Sequence, residues 1–145
     1  MNVNIPGEFT VYNSLLASCV LSELGFSIDS VTESAEKIKK IKGRAEKVPV
    51  PKNFTVIIDY AHNALSLESL FTSVKNYNPK NIITVFGCGG NRSKLRRYDM
   101  GEISGKYSDL SVITSDNPRT EKVEDIIDDI LVGIHKTDGK YVIIN

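Results

Sequence analysis

The sequence predicts an α/β fold in which a mostly parallel sheet is flanked by helices and preceded by a helical segment. Two observations support this prediction. Short, β-branched apolar runs recur after residue 50, and segments with apolar residues at helical spacing lie between them. Because strands that alternate with helices about every 30 residues form βαβ units, the strands should run parallel.

Length, charge and cysteine content limit the classes of function that this chain can have. The 145 residues suit one domain with part of another, and 18 basic residues balance 18 acidic ones, so charge favours neither nucleic acid nor membrane partners. No apolar stretch approaches the roughly 20 residues of a membrane span, and the start lacks signal-peptide features, so we expect a cytoplasmic protein. Cys19 and Cys88 lack metal-ligand spacing and are predicted to be free thiols with no metal site.

Residues 1–47 are predicted to be mainly helical. Segment 13–24 is apolar on nearly every side, which is typical of a helix packed inside a larger assembly. Ser30 and Glu33 form a capping-box pattern that would open a second helix with a lysine-rich end. The polar, proline-bearing stretch 42–53 indicates a connection, so we place a domain boundary near Val48.

Strands and helices alternate after this boundary. Continuous apolar runs predict strands that are buried on both faces. The four strands are 54–60, 81–87, 110–115 and 141–145, and the helical patterns run from Leu67 to Val74, Met100 to Tyr107 and Val123 to Ile134. Because no helical pattern follows the last strand, we expect the second domain, 48–145, to be incomplete.

Polar residues follow three of the predicted strands, in "DYAHN", "GCGGNR" and "SDNPR". Ligands of parallel α/β sheets bind at the carboxyl ends of the strands, so these loops should meet at one edge. Two arginines beside amides and carboxylates suit a small zwitterionic or anionic ligand. The candidate residues are Asp59, His62, Asn63, Arg92, Asp116, Asn117 and Arg119.

Each candidate also has a plainer interpretation. Asn63 suits a helix N-cap, Asp59 could fix a turn, and His62 could bond only to backbone. The run "KLRR" at 94–97 is typical of a solvated helix face, and the glycines of "GCGG" could serve tight turning alone. The sequence contains no G-x-x-x-x-G-K-[ST] phosphate loop, and no base is predicted that would make Cys88 a nucleophile.

Five segments together resemble the Mur ligase family over nearly the whole chain. They are "GEFTVYNSLLAS", "GRAEKV", "VIIDYAHNALSL", "VFGCGGNRSKLRRYDMG" and "TSDNPRTE", in the order and spacing of the diaminopimelate-adding members. The resemblance implies that residues 1–47 are the tail of a central ATPase domain. It implies that 48–145 are most of a Rossmann-like C-terminal domain that binds the incoming amino acid.

The resemblance also implies a reaction and its site residues. Such ligases use ATP and magnesium to join meso-diaminopimelate to UDP-MurNAc-L-Ala-D-Glu through an acyl phosphate. The "DNPR" segment marks the diaminopimelate users, since a guanidinium fork matches the second carboxylate of that substrate. By position, ATP would contact Asn13, Arg44, Asp59, His62 and Asn63, and the amino acid would contact Arg92, Asp116, Asn117 and Arg119.

Departures from the family pattern leave alternatives open. They occur at Thr10, Ala64, Ser93 and Tyr98. The UDP-binding domain, the phosphate loop, the magnesium ligands, the modified lysine and the downstream G-K-G-H-E motif are not found. We therefore expect the isolated chain to be inactive, with no catalytic residue of its own and no tightly bound ATP or magnesium. The alternatives are a stand-alone amino-acid-binding module, a decayed truncated gene product, or a relative of folylpolyglutamate synthetase.

Overall fold

A computed structural model describes residues 3–144, and these form two compact units. The first extends to Tyr60 and the second begins at Ala61. The predicted domain boundary near Val48 lies within the first unit. A unit of packing need not coincide with a domain of a family, so that boundary stays a prediction.

The first unit contains two helices and a two-stranded sheet. Its elements are α1 (Glu8–Glu23), α2 (Ile28–Lys37), β1 (Glu46–Val48) and β2 (Val56–Ile58). The strands are antiparallel, with Glu46 opposite Ile58. The expectation that 54–60 joins the parallel sheet is therefore wrong. The stretch expected to be only a connection supplies β1, and residues 49–55 reverse the chain so that β2 pairs with its near neighbour.

Helix α1 is confirmed, and its predicted burial within a larger assembly stays a prediction. Thr10 is its one buried residue, while Leu16 and Tyr12 are 67% and 64% exposed. Apolar residues lie on all sides of this helix. Contacts on one side with the rest of the described chain therefore leave the other apolar side chains exposed. No helix within residues 3–144 is long and apolar enough to cross a membrane.

Helix α2 begins three residues earlier than the capping pattern predicts. The hydroxyl of Ser27 accepts a hydrogen bond from the Ser30 N–H at 3.3 Å, so Ser27 is the N-cap and Ser30 lies in the first turn. The predicted capping box at Ser30 and Glu33 is wrong. Glu33 instead pairs with Lys37 at 2.7 Å, one turn further along the exposed face.

The second unit confirms the predicted α/β class. Its elements are α3 (Ala64–Lys75), β3 (Ile83–Phe86), α4 (Lys94–Tyr107), β4 (Leu110–Thr114), α5 (Val123–Ile134) and β5 (Tyr141–Ile144). The strands are parallel in the order β3-β4-β5, and Val85, Val112 and Val142 share one row. The three predicted helical patterns and three of the predicted strands lie in this unit.

The core lies on one face of this sheet. It consists of Leu67, Phe71, Cys88, Met100, Ile113, Ile126, Ile127, Ile130 and Ile134. On the opposite face Ile83 and Val85 are 62% and 65% exposed. The prediction of strands buried on both faces is therefore wrong for this chain. The helices pack on the side of Ile113, and alternation places the other apolar side chains on the open side.

Helices α4 and α5 approach each other closely at two glycines. A Cβ atom at Gly101 would overlap the carbonyl oxygen of Ile130, and one at Gly133 would overlap that of Tyr98. Both positions therefore need glycine for space. This contact fixes α4 against α5. Helix α4 begins directly after the loop that follows β3, and α5 begins directly after the loop that follows β4.

Candidate functional site

Two loops lie side by side at the carboxyl ends of β3 and β4. We call residues 87–93 the glycine loop and residues 115–122 the DNPR loop. The Gly90 N–H donates to the Asn117 carbonyl at 2.8 Å, and the Thr120 hydroxyl donates to Asn91 Oδ1 at 3.0 Å. The prediction that loops meet at one edge of the sheet is confirmed for these two. It is not met by the third predicted loop, DYAHN, because β2, the strand before it, pairs with β1 and is not part of this sheet.

The glycines of the glycine loop permit this close approach. A Cβ atom at Gly87 would overlap the Thr114 carbonyl oxygen, and one at Gly90 would overlap the Pro118 carbonyl oxygen. Neither glycine has a positive φ, so the requirement is for space rather than for an unusual backbone conformation. Substitution of either residue would push the two loops apart.

Two residues of these loops adopt left-handed backbone conformations. The φ angles are 55° at Asn91 and 53° at Arg119. Such a conformation costs a residue with a Cβ about 1–2 kcal/mol. It persists where surrounding bonds hold it, and these include the bonds from Thr120 to Asn91. Strain of this kind clusters at binding sites, which makes the paired loops the strongest candidate site in the second unit.

The four predicted amino-acid contacts all lie in the paired loops. Arg92 lies in the glycine loop, and Asp116, Asn117 and Arg119 lie in the DNPR loop. All four are exposed, so their side chains are accessible to a ligand. The structure therefore brings their segments together, while their ligand contacts stay a prediction.

Arg97 is a site residue that the sequence interpretation missed. Arg97 is 1% exposed, so the expectation of a solvated "KLRR" face is wrong at this position. Nη1 and Nη2 each donate to one carboxylate oxygen of Glu121 at 2.8 Å, which ties α4 to the DNPR loop. Arg97 shares a helix face with the buried residues Met100, Gly101 and Ser104, and this i, i+3, i+4, i+7 spacing was the available signal.

The Arg97–Glu121 pair shifts the pKa of both groups. Hydrogen bonds from Arg97, and then from the Asn91 N–H, hold the pKa of Glu121 at about 2. The same pairing with Glu121, together with Asp129, raises the pKa of the Arg97 guanidinium above its already high value. Both groups are therefore charged at neutral pH.

Cys88 lies in the glycine loop but points into the core. It is buried, and its Sγ lies 3.8 Å from the Met100 sulfur. Burial raises the pKa of the Cys88 thiol to about 11. A neutral, buried thiol is a poor nucleophile, which agrees with the absence of a predicted base.

Three of the predicted ATP contacts lie in the first unit. Asp59 Oδ2 accepts from the Ala45 N–H at 2.7 Å, which fixes the chain around Arg44 next to the end of β2. The Arg44 guanidinium carbon lies 5.1 Å from the centre of the Tyr60 ring. Arg44 and Asp59 therefore flank the same end of the small sheet, while Asn13 is exposed on α1.

The other two predicted ATP contacts, His62 and Asn63, lie in the second unit. Asn63 caps α3, because its Oδ1 accepts from the Ser66 N–H at 2.9 Å and the Ser66 hydroxyl completes a capping box. The capping interpretation of Asn63 is therefore confirmed. Its contact with nucleotide stays a prediction.

Two departures from the family pattern lie at helix starts. Ala64 is the first residue of α3, a position that proline also fits. Ser93 is the N-cap of α4, but its side chain makes no capping bond. Within residues 3–144 no three His, Cys, Asp or Glu side chains are placed to hold a metal ion.

The fold and the paired loops define a Mur ligase domain. Residues 43–144 match the family described as Mur ligase, glutamate ligase domain, and the chain belongs to this family. The relatives include UDP-N-acetylmuramoyl-L-alanyl-D-glutamate–2,6-diaminopimelate ligases. The protein of that name from Alkaliphilus oremlandii is 49% identical over 98% of this chain, and one from Clostridium acetobutylicum is 48% identical over 97%. The chain spans 29% of the length of each.

Solved structures of related enzymes have the same fold. A UDP-N-acetylmuramoyl-L-alanyl-D-glutamate–2,6-diaminopimelate ligase superposes with a TM-score of 0.67 and 27% identity, over 100% of this chain and 30% of that one. A Mycobacterium tuberculosis folylpolyglutamate synthase complexed with ADP and AMPPCP gives a TM-score of 0.74 at 20% identity, over 97% of this chain and 31% of the other. The second likeness shows the fold alone.

Proposed function

We propose that this chain supplies the amino-acid-binding part of an ATP-dependent ligase of peptidoglycan precursor synthesis. The reaction joins meso-diaminopimelate to UDP-MurNAc-L-Ala-D-Glu through an acyl phosphate, in the cytoplasm. One observation carries the proposal: the paired loops present Arg92, Asn117 and Arg119 at one sheet edge, in a chain similar over almost its full length to diaminopimelate ligases.

The charges of the paired loops suit diaminopimelate. Its distal end carries an ammonium and a carboxylate, whereas the distal end of lysine carries only an ammonium. Arg119 binds the distal carboxylate through its guanidinium fork, and Asn117 and Asp116 bind the ammonium groups. A guanidinium attracts the carboxylate and repels the lone ammonium of lysine, so Arg119 accounts for the choice between them.

The ATP side of the proposal rests on Asn13, Arg44, Asp59, His62 and Asn63. In this proposal each of these residues contacts the adenosine or the phosphates. In this proposal the phosphate loop and the magnesium ligands belong to other parts of a longer enzyme and not to this chain. We expect no turnover by the 145-residue chain alone.

Calorimetric titration of the chain with meso-diaminopimelate and with L-lysine tests the proposal. We expect weak binding of diaminopimelate and weaker binding of lysine, because one charge-assisted contact is worth about 1.5–3 kcal/mol. Arg119→Ala should remove the preference, whereas Arg96→Ala at a half-buried position in the first turn of α4 should keep it. Equal affinity for both ligands, or a preference that survives Arg119→Ala, would exclude the assigned role of Arg119.

The affinity of the isolated chain for diaminopimelate also distinguishes a second candidate function, that of a stand-alone binding module. A stand-alone binding module would hold diaminopimelate tightly without any other domain. A ligase part should bind it weakly, because the remaining pocket wall and the UDP-linked substrate are missing. Release of phosphate from ATP by this chain, with both other substrates supplied, would contradict the expectation that it is inactive alone.

A further inference from the structure

The Arg97 side chain contacts three separate segments of the second unit. Its Nη2 donates to the Gly89 carbonyl of the glycine loop at 3.3 Å. Both terminal nitrogens donate to Glu121 of the DNPR loop, and Nη1 also donates to Asp129 Oδ2 of α5 at 2.8 Å. One buried guanidinium therefore joins the two loops and the helix that follows them.

The charges around Arg97 balance. Glu121 and Asp129 supply two carboxylates, and Lys94 lies 3.4 Å from the second oxygen of Asp129. Burial of an ion is costly unless it is paired and hydrogen-bonded, and a planar fork can serve several acceptors at once. A lysine at position 97 could not reproduce these bonds with its single nitrogen.

Both arginines of the candidate site lie close in sequence to groups that this cluster fixes. Arg92 directly follows Asn91, whose N–H donates to Glu121. Arg119 lies two residues before Glu121 and has a left-handed backbone. The orientation of each arginine therefore depends on a backbone segment that Arg97 holds, either directly or through Glu121.

We propose that Arg97 is a positioning residue for the amino-acid site. It does not contact the ligand but holds the glycine loop and the DNPR loop at the spacing that lets Arg92 and Arg119 bind one ligand together. The inference rests on the proposed function for the nature of the ligand. The arrangement of the loops themselves can be tested without it.

The alternative is that Arg97 only fastens α4 to α5. The double variant Arg97→Met/Asp129→Leu separates the two roles. It removes both buried charges and replaces them with apolar groups of similar size, an exchange that often preserves stability. The Glu121 side chain is 29% exposed, so water can solvate it in the variant. In this variant apolar packing can still hold α4 against α5, but the hydrogen bonds from position 97 to the two loops are lost.

The first measurement is amide hydrogen exchange by NMR on the 15N-labelled chain. In the double variant we expect Gly90 and Asn91 amides to exchange at least about tenfold faster, while the Ile130 amide in α5 stays within about twofold. Arg96→Met, one residue away on α4, is the matched control and should leave all three unchanged. Unchanged protection at Gly90 and Asn91 in the double variant would overturn the proposal.

The second measurement is calorimetric titration of the same proteins with meso-diaminopimelate. We expect affinity to fall about tenfold or more in the double variant and to persist in Arg96→Met. Full affinity in a variant with freed loops would overturn the positioning role, and so would lost affinity with intact loop protection. If the wild-type chain itself does not bind up to millimolar ligand, the proposed function fails in this chain, and the exchange data alone then decide whether Arg97 orders the loops.

Discussion

The two units of this chain use their apolar residues differently. The second unit gathers nine buried side chains into one cluster against its sheet. In the described part of the first unit, the buried apolar residues are Ile5, Val31 and Ala45, and its longest helix exposes Leu15, Leu16 and Val20. Burial of apolar surface is the main stabilising term in folding, so the second unit should supply most of the stability of the chain. The predictions below test this contrast, from the largest expected effect to the smallest.

The largest effect is expected from truncation in the core of the second unit. Ile130 is 0% exposed and lies on the α5 face that meets α4 and the sheet. Ile130→Ala should lower the free energy of unfolding by about 2–5 kcal/mol, because it removes buried methyl groups and leaves a cavity. Urea unfolding followed by circular dichroism measures this change.

Ile83→Ala is the matched control for that experiment. It removes the same atoms from the same unit, but Ile83 is 62% exposed on the open face of the sheet. We expect a loss below about 1 kcal/mol. Equal losses at the two positions would show that the open face is covered in solution and that the one-sided core is an incomplete description.

The second prediction compares the two thiols, one in each unit. Cys19 is exposed on α1, whereas Cys88 is buried with a pKa raised to about 11. At pH 8 only about one Cys88 thiol in a thousand is ionised, and that thiolate is shielded by the core. An aromatic disulfide reagent should therefore modify Cys88 at least about 100-fold more slowly than Cys19.

The Cys19→Ser and Cys88→Ser variants assign the two labelling phases. Slow labelling of Cys88 reports opening of the second unit, so Ile130→Ala should accelerate it. Comparable rates for both thiols in the wild-type chain would mean that the glycine loop opens freely, which would contradict a well-packed second unit.

The third prediction concerns pH and the pairing of the loops. The pKa of Glu121 is about 2 in the folded protein, mainly because of Arg97, and a glutamate in an unfolded chain titrates near 4.3. Since the folded pKa is the lower one, the stability that Glu121 contributes is fully present above about pH 5. It is lost as the pH falls through this window toward 2.

Urea unfolding of the wild-type chain and Glu121→Gln at several pH values measures this contribution. The stability difference between them should be constant from pH 7 to about 5 and should shrink below that, because the amide cannot titrate. The other carboxylates are common to both proteins and cancel in the difference. A difference that stays constant down to pH 3 would show that the Arg97–Glu121 pair does not stabilise the folded state.

Much of the second unit could be predicted from the sequence because its signals are local. The spacing of Val123, Ile126, Ile127 and Ile130 defines α5, and Asn63 followed by Ser66 defines the start of α3. The meeting of the glycine and DNPR loops follows from parallel order alone. These features depend on periodicity and capping, which residues close in sequence decide.

Some failures were local, and others concern contacts between residues distant in sequence. The partner of β2 depended on a reversal at residues 49–55 that no apolar pattern marks. The burial of Arg97 depended on Glu121 and Asp129, which lie 24 and 32 residues further along the chain. A charged residue on a helix is usually solvated, so only its shared face with Met100 and Ser104 indicated otherwise. The pairing of the two loops was therefore predicted, while the buried arginine that joins them was missed.

The smallest effect is expected on the exposed helix of the first unit. Leu16 is 67% exposed on α1, so Leu16→Gln loses little buried area, and glutamine has a helix propensity close to that of leucine. The free energy of unfolding should change by less than about 0.5 kcal/mol, in contrast to the loss at Ile130. Urea unfolding at two protein concentrations checks this. A larger, concentration-dependent loss would mean that α1 packs against a second copy in solution, and the contrast between the units would then hold only for the isolated chain.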